Sequence, residues 1–123
     1  MTSTPGHLAP APISYGERRF RPVGDQAGPD GRWPSVGHYH QDGDLVWAEF
    51  SGSAVRAGRL VGTCGPGGVI DAAYCMVTAD GRVISGGCVS TPELLPDGRI
   101  RLVEQWRRLD GDSGVSRIEE IPR

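Results

Sequence analysis

The feature that most constrains this chain is a regular run of turn signals. From residue 36 onward, segments of roughly 6 to 11 residues rich in Val, Ile, Trp and Tyr are separated by turn-forming pairs and clusters. These are Asp42-Gly43, Gly52-Ser53, Gly65-Pro66-Gly67-Gly68, Asp80-Gly81, Asp97-Gly98 and Asp110-Gly111. Such spacing reads as consecutive β-hairpins. No segment repeats an apolar i, i+3, i+4 pattern over three turns, so long helices are not expected. The predicted strands are 18–23, 36–41, 45–51, 55–64, 69–78, 82–91, 92–96, 99–109 and 115–121, with 82–96 readable as one long strand bent at Pro92. About eight antiparallel strands joined in sequence must either close into a barrel or expose edges. The expected fold is all-β, a single antiparallel meander closed by strand 18–23 sealing against the C-terminal strand. A five-stranded OB-type barrel and an open sandwich stay open as alternatives.

Composition narrows what such a barrel can do. The 123 residues include 19 Gly and 10 Pro, roughly twice the ordinary combined share of about 12%. Leu, Ile, Val and Phe make up about a fifth of the chain, just above the ~20% level below which disorder is expected, so one modest core is available. All 13 basic residues are Arg, and the chain has neither Lys nor Asn. That excludes a P-loop lysine, a Schiff base, a pyridoxal phosphate anchor and N-glycosylation. A net charge of −2 and a pI near 5.9 lack the basic excess that nucleic acid demands. No signal peptide or membrane span is apparent. Cys64, Cys75 and Cys88 are an odd set without zinc spacing, which suits a reducing cytoplasm. Residues 1–16, with three prolines and no periodicity, read as a disordered tail before a single barrel domain at 17–123. The turn-rich stretch 24–35 reads as a long loop or lid.

Two-residue hairpin turns fix which residues share a face of the sheet. A turn at Asp42-Gly43 sets His40 against Leu45 and His38 against Trp47, and a one-place shift keeps the same residues together. A turn at Gly52-Ser53 sets Glu49 against Arg56 and Trp47 against Gly58. One at Asp80-Gly81 sets Met76 against Ser85 and Tyr74 against Gly87, and one at Asp97-Gly98 sets Thr91 against Glu104 and Val89 against Trp106. The expected inward face therefore carries Leu45, Trp47, Glu49, Leu60, Tyr74, Met76, Val89, Thr91, Ile100, Leu102, Glu104 and Trp106, with His38 and His40 beside them. Cys75 and Cys88 are placed outward, although the length of the 65–68 loop decides between Tyr74 and Cys75. Gly58, Gly62, Gly86 and Gly87, within strands, are where such a barrel would make room.

Four ionisable residues stand out on this face. Glu49 and Glu104 fall in phase with the tryptophans, and a carboxyl in an aromatic cavity has the raised pKa that acid–base chemistry uses. The alternative for Glu49 is an ion pair with Arg56, and for Glu104 a bond from Thr91 or an arginine. His38 and His40 share a face, yet His40 lies too far from Glu49 for a cupin-type metal site. A general-base, ligand-bonding or structural use is expected instead, and no metal. Trp47, Trp106 and Tyr74, with Arg56, Thr91 and Met76, are the expected ligand contacts. Ser90 lacks a nucleophile elbow, and Gly65-Pro66-Gly67-Gly68 is a turn and not a phosphate cradle, since no helix follows it.

The blocks FRPV (20–23), HYHQDGDLVWAEFSG (38–52), GRLVG (58–62), STPELLPDGRIRLVEQW (90–106) and SRIEEI (116–121) resemble a family of small bacterial proteins. Its members are often labelled N-acetylglutamate synthase and are also described as avidin-like. The likeness spans residues 19–121. An acetyltransferase would need a glycine-rich loop opening a helix to grip the CoA pyrophosphate, and this chain has no such unit. The avidin-like description implies a barrel of the avidin or lipocalin kind, a ligand held among aromatic residues and association into a homodimer.

Together these readings point to a barrel that binds an apolar small molecule. Acting without cofactor, it would assist an acid–base cyclisation, isomerisation or dehydration through Glu104, Glu49, His38 and His40. The alternative is a non-catalytic ligand-binding or sequestering protein. No nucleic-acid or membrane partner is expected.

Overall fold

A computed structural model describes residues 13–23 and 35–123 of the protein. Eight strands follow one another: β1 (Arg18–Pro22), β2 (Val36–Asp42), β3 (Leu45–Gly52), β4 (Val55–Cys64), β5 (Ile70–Thr78), β6 (Val83–Leu94), β7 (Ile100–Arg108) and β8 (Ser113–Glu120). Each pairs antiparallel with the next, and β1 pairs with β8, so the sheet is a closed barrel. Phe20 lies opposite Glu120 at that seam. Closure leaves no strand without a partner along its edge. The 82–96 segment is a single strand through Pro92, as one of its two readings held. The alternatives of an OB-type barrel or an open sandwich are set aside by the eight-strand closure.

One end of the barrel is filled. Tyr15, Phe20 and Tyr39 pack ring on ring with centroids 5.0–6.5 Å apart, above Val46, Ile70, Ile100 and Leu102. Tyr15 donates its hydroxyl to the carbonyl of Gly68, in the 3-10 turn Pro66–Gly68. The expected tail over 1–16 is corrected at its C-terminal end, because Tyr15 is fully buried and its ring belongs to the core. Residues 1–12, and the expected loop or lid at 24–35 apart from Ser35, lie outside the described residues. Glu120 is buried at the same end, where Arg18 bonds both its oxygens at 2.9 and 2.8 Å and the Ile100 amide donates to it at 3.1 Å. A carboxyl group is tolerated in the interior when it is paired and hydrogen-bonded in this way.

The register corrects the expected faces at two places. The β2–β3 turn pairs Asp42 with Leu45 and His40 with Trp47, the one-place shift that keeps the set together. The β3–β4 hairpin pairs Gly52 with Val55 but Phe50 with Gly58. Residues 56–57 therefore form a bulge, and a single extra residue exchanges the two faces. Leu60 and Gly62 face inward on β4, so on β3 the inward residues are Val46, Ala48 and Phe50, and on β2 Tyr39. Leu45, Trp47, Glu49, His38 and His40 face outward.

The second correction is on β6. The loops at 78–82, 95–99 and 108–112 share one pattern, in which the first amide bonds the carbonyl four residues on and the glycine amide bonds back three. Gly81, Gly98 and Gly111 sit at φ of +89°, +88° and +98°, the type I turn with a left-handed glycine bulge. These loops are odd in length, so Cys88 pairs with Trp106 and Ser90 with Glu104. Cys88 and Ser90 point inward, while Val89, Thr91 and Gly87 point outward. Two odd loops flank β6 and their effects cancel, which leaves Tyr74, Met76, Ile100, Leu102, Glu104 and Trp106 on the inward face as expected.

Candidate functional site

Beyond the filled end, the barrel encloses a cavity of about 290 Å³. It reaches the end where the β3–β4, β5–β6 and β7–β8 hairpins turn, lined there by Val55, Met76 and Arg108. Its walls are aromatic, and glycines on neighbouring strands lay the rings flat. A Cβ on Gly58 would sit 2.2 Å from the Phe50 ring, one on Gly86 2.8 Å from the Tyr74 hydroxyl, and one on Gly114 2.6 Å from the Trp106 indole. Each ring thus occupies its neighbour's missing side chain, and the lumen between them stays open. Backbone also comes close: a Cβ on Gly62 would strike Asp71 and Ala72, and one on Gly86 would lie 2.0 Å from the Arg107 carbonyl oxygen.

Glu104 projects from the middle of β7 into this cavity. Burial pushes its carboxyl from the ordinary 4.5 up to about 7, opposed only by the Ser90 hydroxyl, which donates to it at 3.4 Å. The bond from Thr91 or an arginine that the sequence suggested is therefore supplied by Ser90. Tyr39 and Cys88 also line the cavity. Burial raises both of their pKa values, with Glu104's negative charge the next contributor. Both therefore stay protonated near neutral pH. Trp106 is anchored by its indole N–H to Ser116 Oγ at 3.0 Å. The Arg108 guanidinium lies 5.1 Å from the Trp106 ring centroid, within cation–π reach. It also steadies the phenolate form of Tyr74 against the larger effect of burial, which raises that pKa. Arg108 Nε is buried without a hydrogen-bond partner, a free donor near the cavity mouth.

Of the residues singled out from sequence, Glu104, Trp106, Tyr74 and Met76 meet in this cavity. Glu49, His38, His40 and Trp47 do not, being carried to the outer face by the β4 bulge. There His40 Nε2 bonds Glu49 at 2.8 Å and its ring stacks on Trp47 with centroids 5.3 Å apart. Arg56 sits exposed in the bulge, Arg59 takes its place opposite Glu49, and Thr91 is exposed opposite Val103. Sequence reasoning missed Tyr39, Phe50, Cys88, Ser90, Arg108 and Ser116. Phe50 had a signal in Gly58, whose missing side chain some ring had to occupy.

The arrangement is an eight-stranded barrel with a ring-lined interior and one carboxyl facing it. The family model of the avidin-like proteins matches residues 13–121, and the chain belongs to that family. No curated protein and no solved structure matches it. Among the described residues, no helix is long and apolar enough to cross a membrane.

Proposed function

We propose that the barrel binds an apolar small molecule in its cavity, in contact with Trp106, Tyr74 and Phe50, and that Glu104 exchanges a proton with it. The observation that carries this reading is a carboxyl with a pKa near 7 inside a ring-lined cavity. Near neutral pH both protonation states of Glu104 are populated, so one residue can donate a proton to a ligand oxygen and accept one from carbon or hydroxyl. Tyr39 and Cys88 stay protonated and can each donate a hydrogen bond, which suits them to hold a carbonyl or hydroxyl oxygen. The matching reaction class is a cofactor-free cyclisation, isomerisation or dehydration. The ligand is neutral, because a second anion beside Glu104 would meet like charge in a poorly solvated site.

Tryptophan fluorescence with 2-naphthol, an aromatic alcohol of suitable chemistry, tests the binding. Saturable one-to-one quenching is expected, lost in Trp106→Phe and in Met76→Trp, which places an indole in the lumen. Quenching that survives both variants would place the dye elsewhere. Chemistry is tested by incubating wild type and Glu104→Gln with a cell metabolite extract and following masses over time. A compound consumed by wild type alone supports the acid–base reading. One retained unchanged by both supports the sequestering alternative.

The free thiols of Cys64, Cys75 and Cys88 support a reducing cytoplasm. Trp47 and Val61, paired on the outer face of β3 and β4, support a homodimer through that face, which the particle mass in solution tests.

A further inference from the structure

The outer-face cluster that the cavity leaves unused has the chemistry of a metal centre. We propose that Glu17, His38 and His40 bind one first-row divalent ion of the zinc class on the outside of the barrel. On its own hairpin the H-x-H pair has no acid at metal-ligand spacing. Strand pairing instead brings it from upstream. β1 pairs Arg18 with Tyr39, so one further step sets Glu17 level with His40. The Glu17 amide donates to the Tyr39 carbonyl at 2.8 Å, fixing that position.

The donor atoms converge. His38 Nε2 lies 3.2 Å from Glu17 Oε2, and His40 Nδ1 lies 3.2 Å from Glu17 Oε1. All three ligand atoms fall within 4.8 Å of one another. Ligands about 2.1 Å from a tetrahedral ion stand about 3.4 Å apart, so the cluster needs little movement to close on one. Two imidazoles and a carboxylate suit Zn²⁺, Co²⁺ or Ni²⁺ and leave a coordination position for water.

The second observation is the far side of His40. Its Nε2 faces Glu49 at 2.8 Å while its Nδ1 faces Glu17. A proton on Nε2 satisfies Glu49 and leaves the Nδ1 lone pair aimed at the Glu17 carboxylate. Two electron-rich atoms in that position require a cation between them, either a proton or a metal. His38 Nε2 faces the other Glu17 oxygen, a contact that its neutral imidazole satisfies with its own N–H, so the additional cation is called for at His40, and one divalent ion placed there also reaches His38. A carboxylate behind a ligating histidine is the usual support of such centres. The Trp47 ring, stacked at 23° to His40, holds the imidazole plane.

The test is Zn²⁺ titration of the full chain, freed of any affinity tag, by calorimetry and by proton–nitrogen spectra of the histidine rings. One ion per chain is expected, with the His38 Nε2 and His40 Nδ1 signals shifting on binding. Uptake should be lost in the His38→Ala/His40→Ala double variant and weakened in Glu17→Gln. Glu49→Gln should lower affinity by roughly 10–100-fold. The ring spectra of wild type give the answer independently of how the variants fold. No saturable one-to-one uptake, ring signals that do not move, or unchanged affinity in the double variant would each overturn the proposal.

Discussion

Replacing Glu104 by Gln removes the ionisation and keeps the shape, so it isolates the cost of a charge in the cavity. The folded-state pKa of about 7 lies above the ordinary 4.5, so between these values the native protein holds a proton that the unfolded chain has lost. Wild-type stability therefore falls as pH rises from about 4.5 to about 7 and levels off beyond. One pKa unit corresponds to about 1.36 kcal/mol, which puts the full penalty at about 3 kcal/mol. Gln has no such penalty and still accepts the Ser90 hydroxyl. The stability of Glu104→Gln relative to wild type should thus rise by about 2–3 kcal/mol between pH 5 and pH 8, equivalent to roughly 10 °C in Tm for a domain of this size. Urea denaturation of both proteins at the two pH values measures it, since every other titrating group cancels in the difference. An equal gap at pH 5 and pH 8 would refute the reasoning, because Glu104 would then be no costlier to ionise folded than unfolded.

Three further substitutions probe the walls and the filled end. Gly114→Ala places a methyl against the Trp106 indole and should drive the ring into the lumen, weakening 2-naphthol binding at least tenfold in fluorescence titration while costing about 1–3 kcal/mol. Arg18→Ala removes the bidentate partner of buried Glu120, leaving only the more exposed Arg123 at 3.8 Å, and should cost about 3 kcal/mol in urea denaturation. Tyr15→Ala empties a fully buried ring site and should cost about 3 kcal/mol, whereas a tail residue would cost nothing.

The fold was legible because turn signals recur at hairpin spacing and no helical period competes with them. The interior was legible only where loop parity came out right. Asp-Gly serves both the two-residue turn and the longer turn with a glycine bulge, and the two differ by one residue, which inverts a strand. Pro96 carried the discriminating signal, since proline favours the second position of a type I turn, ahead of Asp97 and the left-handed Gly98. The bulge at Arg56 had no comparable signal, and it alone carried Glu49, His38, His40 and Trp47 outside. Glu104 and Trp106 kept their place because two errors around β6 cancelled. Of the in-strand glycines tied to space, Gly58 and Gly86 make it by receiving rings, Gly62 admits neighbouring backbone, and Gly87 faces out. Glu17 carries no signal in the sequence, because only the β1–β2 register, spanning residues far apart in the chain, brings it to the histidines.

The most direct test of the central claim is the carbon-13 titration of the Glu104 side-chain carboxyl, with and without 2-naphthol. A midpoint near 7 in the free protein is expected, moving upward when 2-naphthol displaces solvent from the cavity and removes what hydration the carboxylate retained. A midpoint near the ordinary 4.5 that 2-naphthol leaves unmoved would contradict both the buried acid and the ligand beside it.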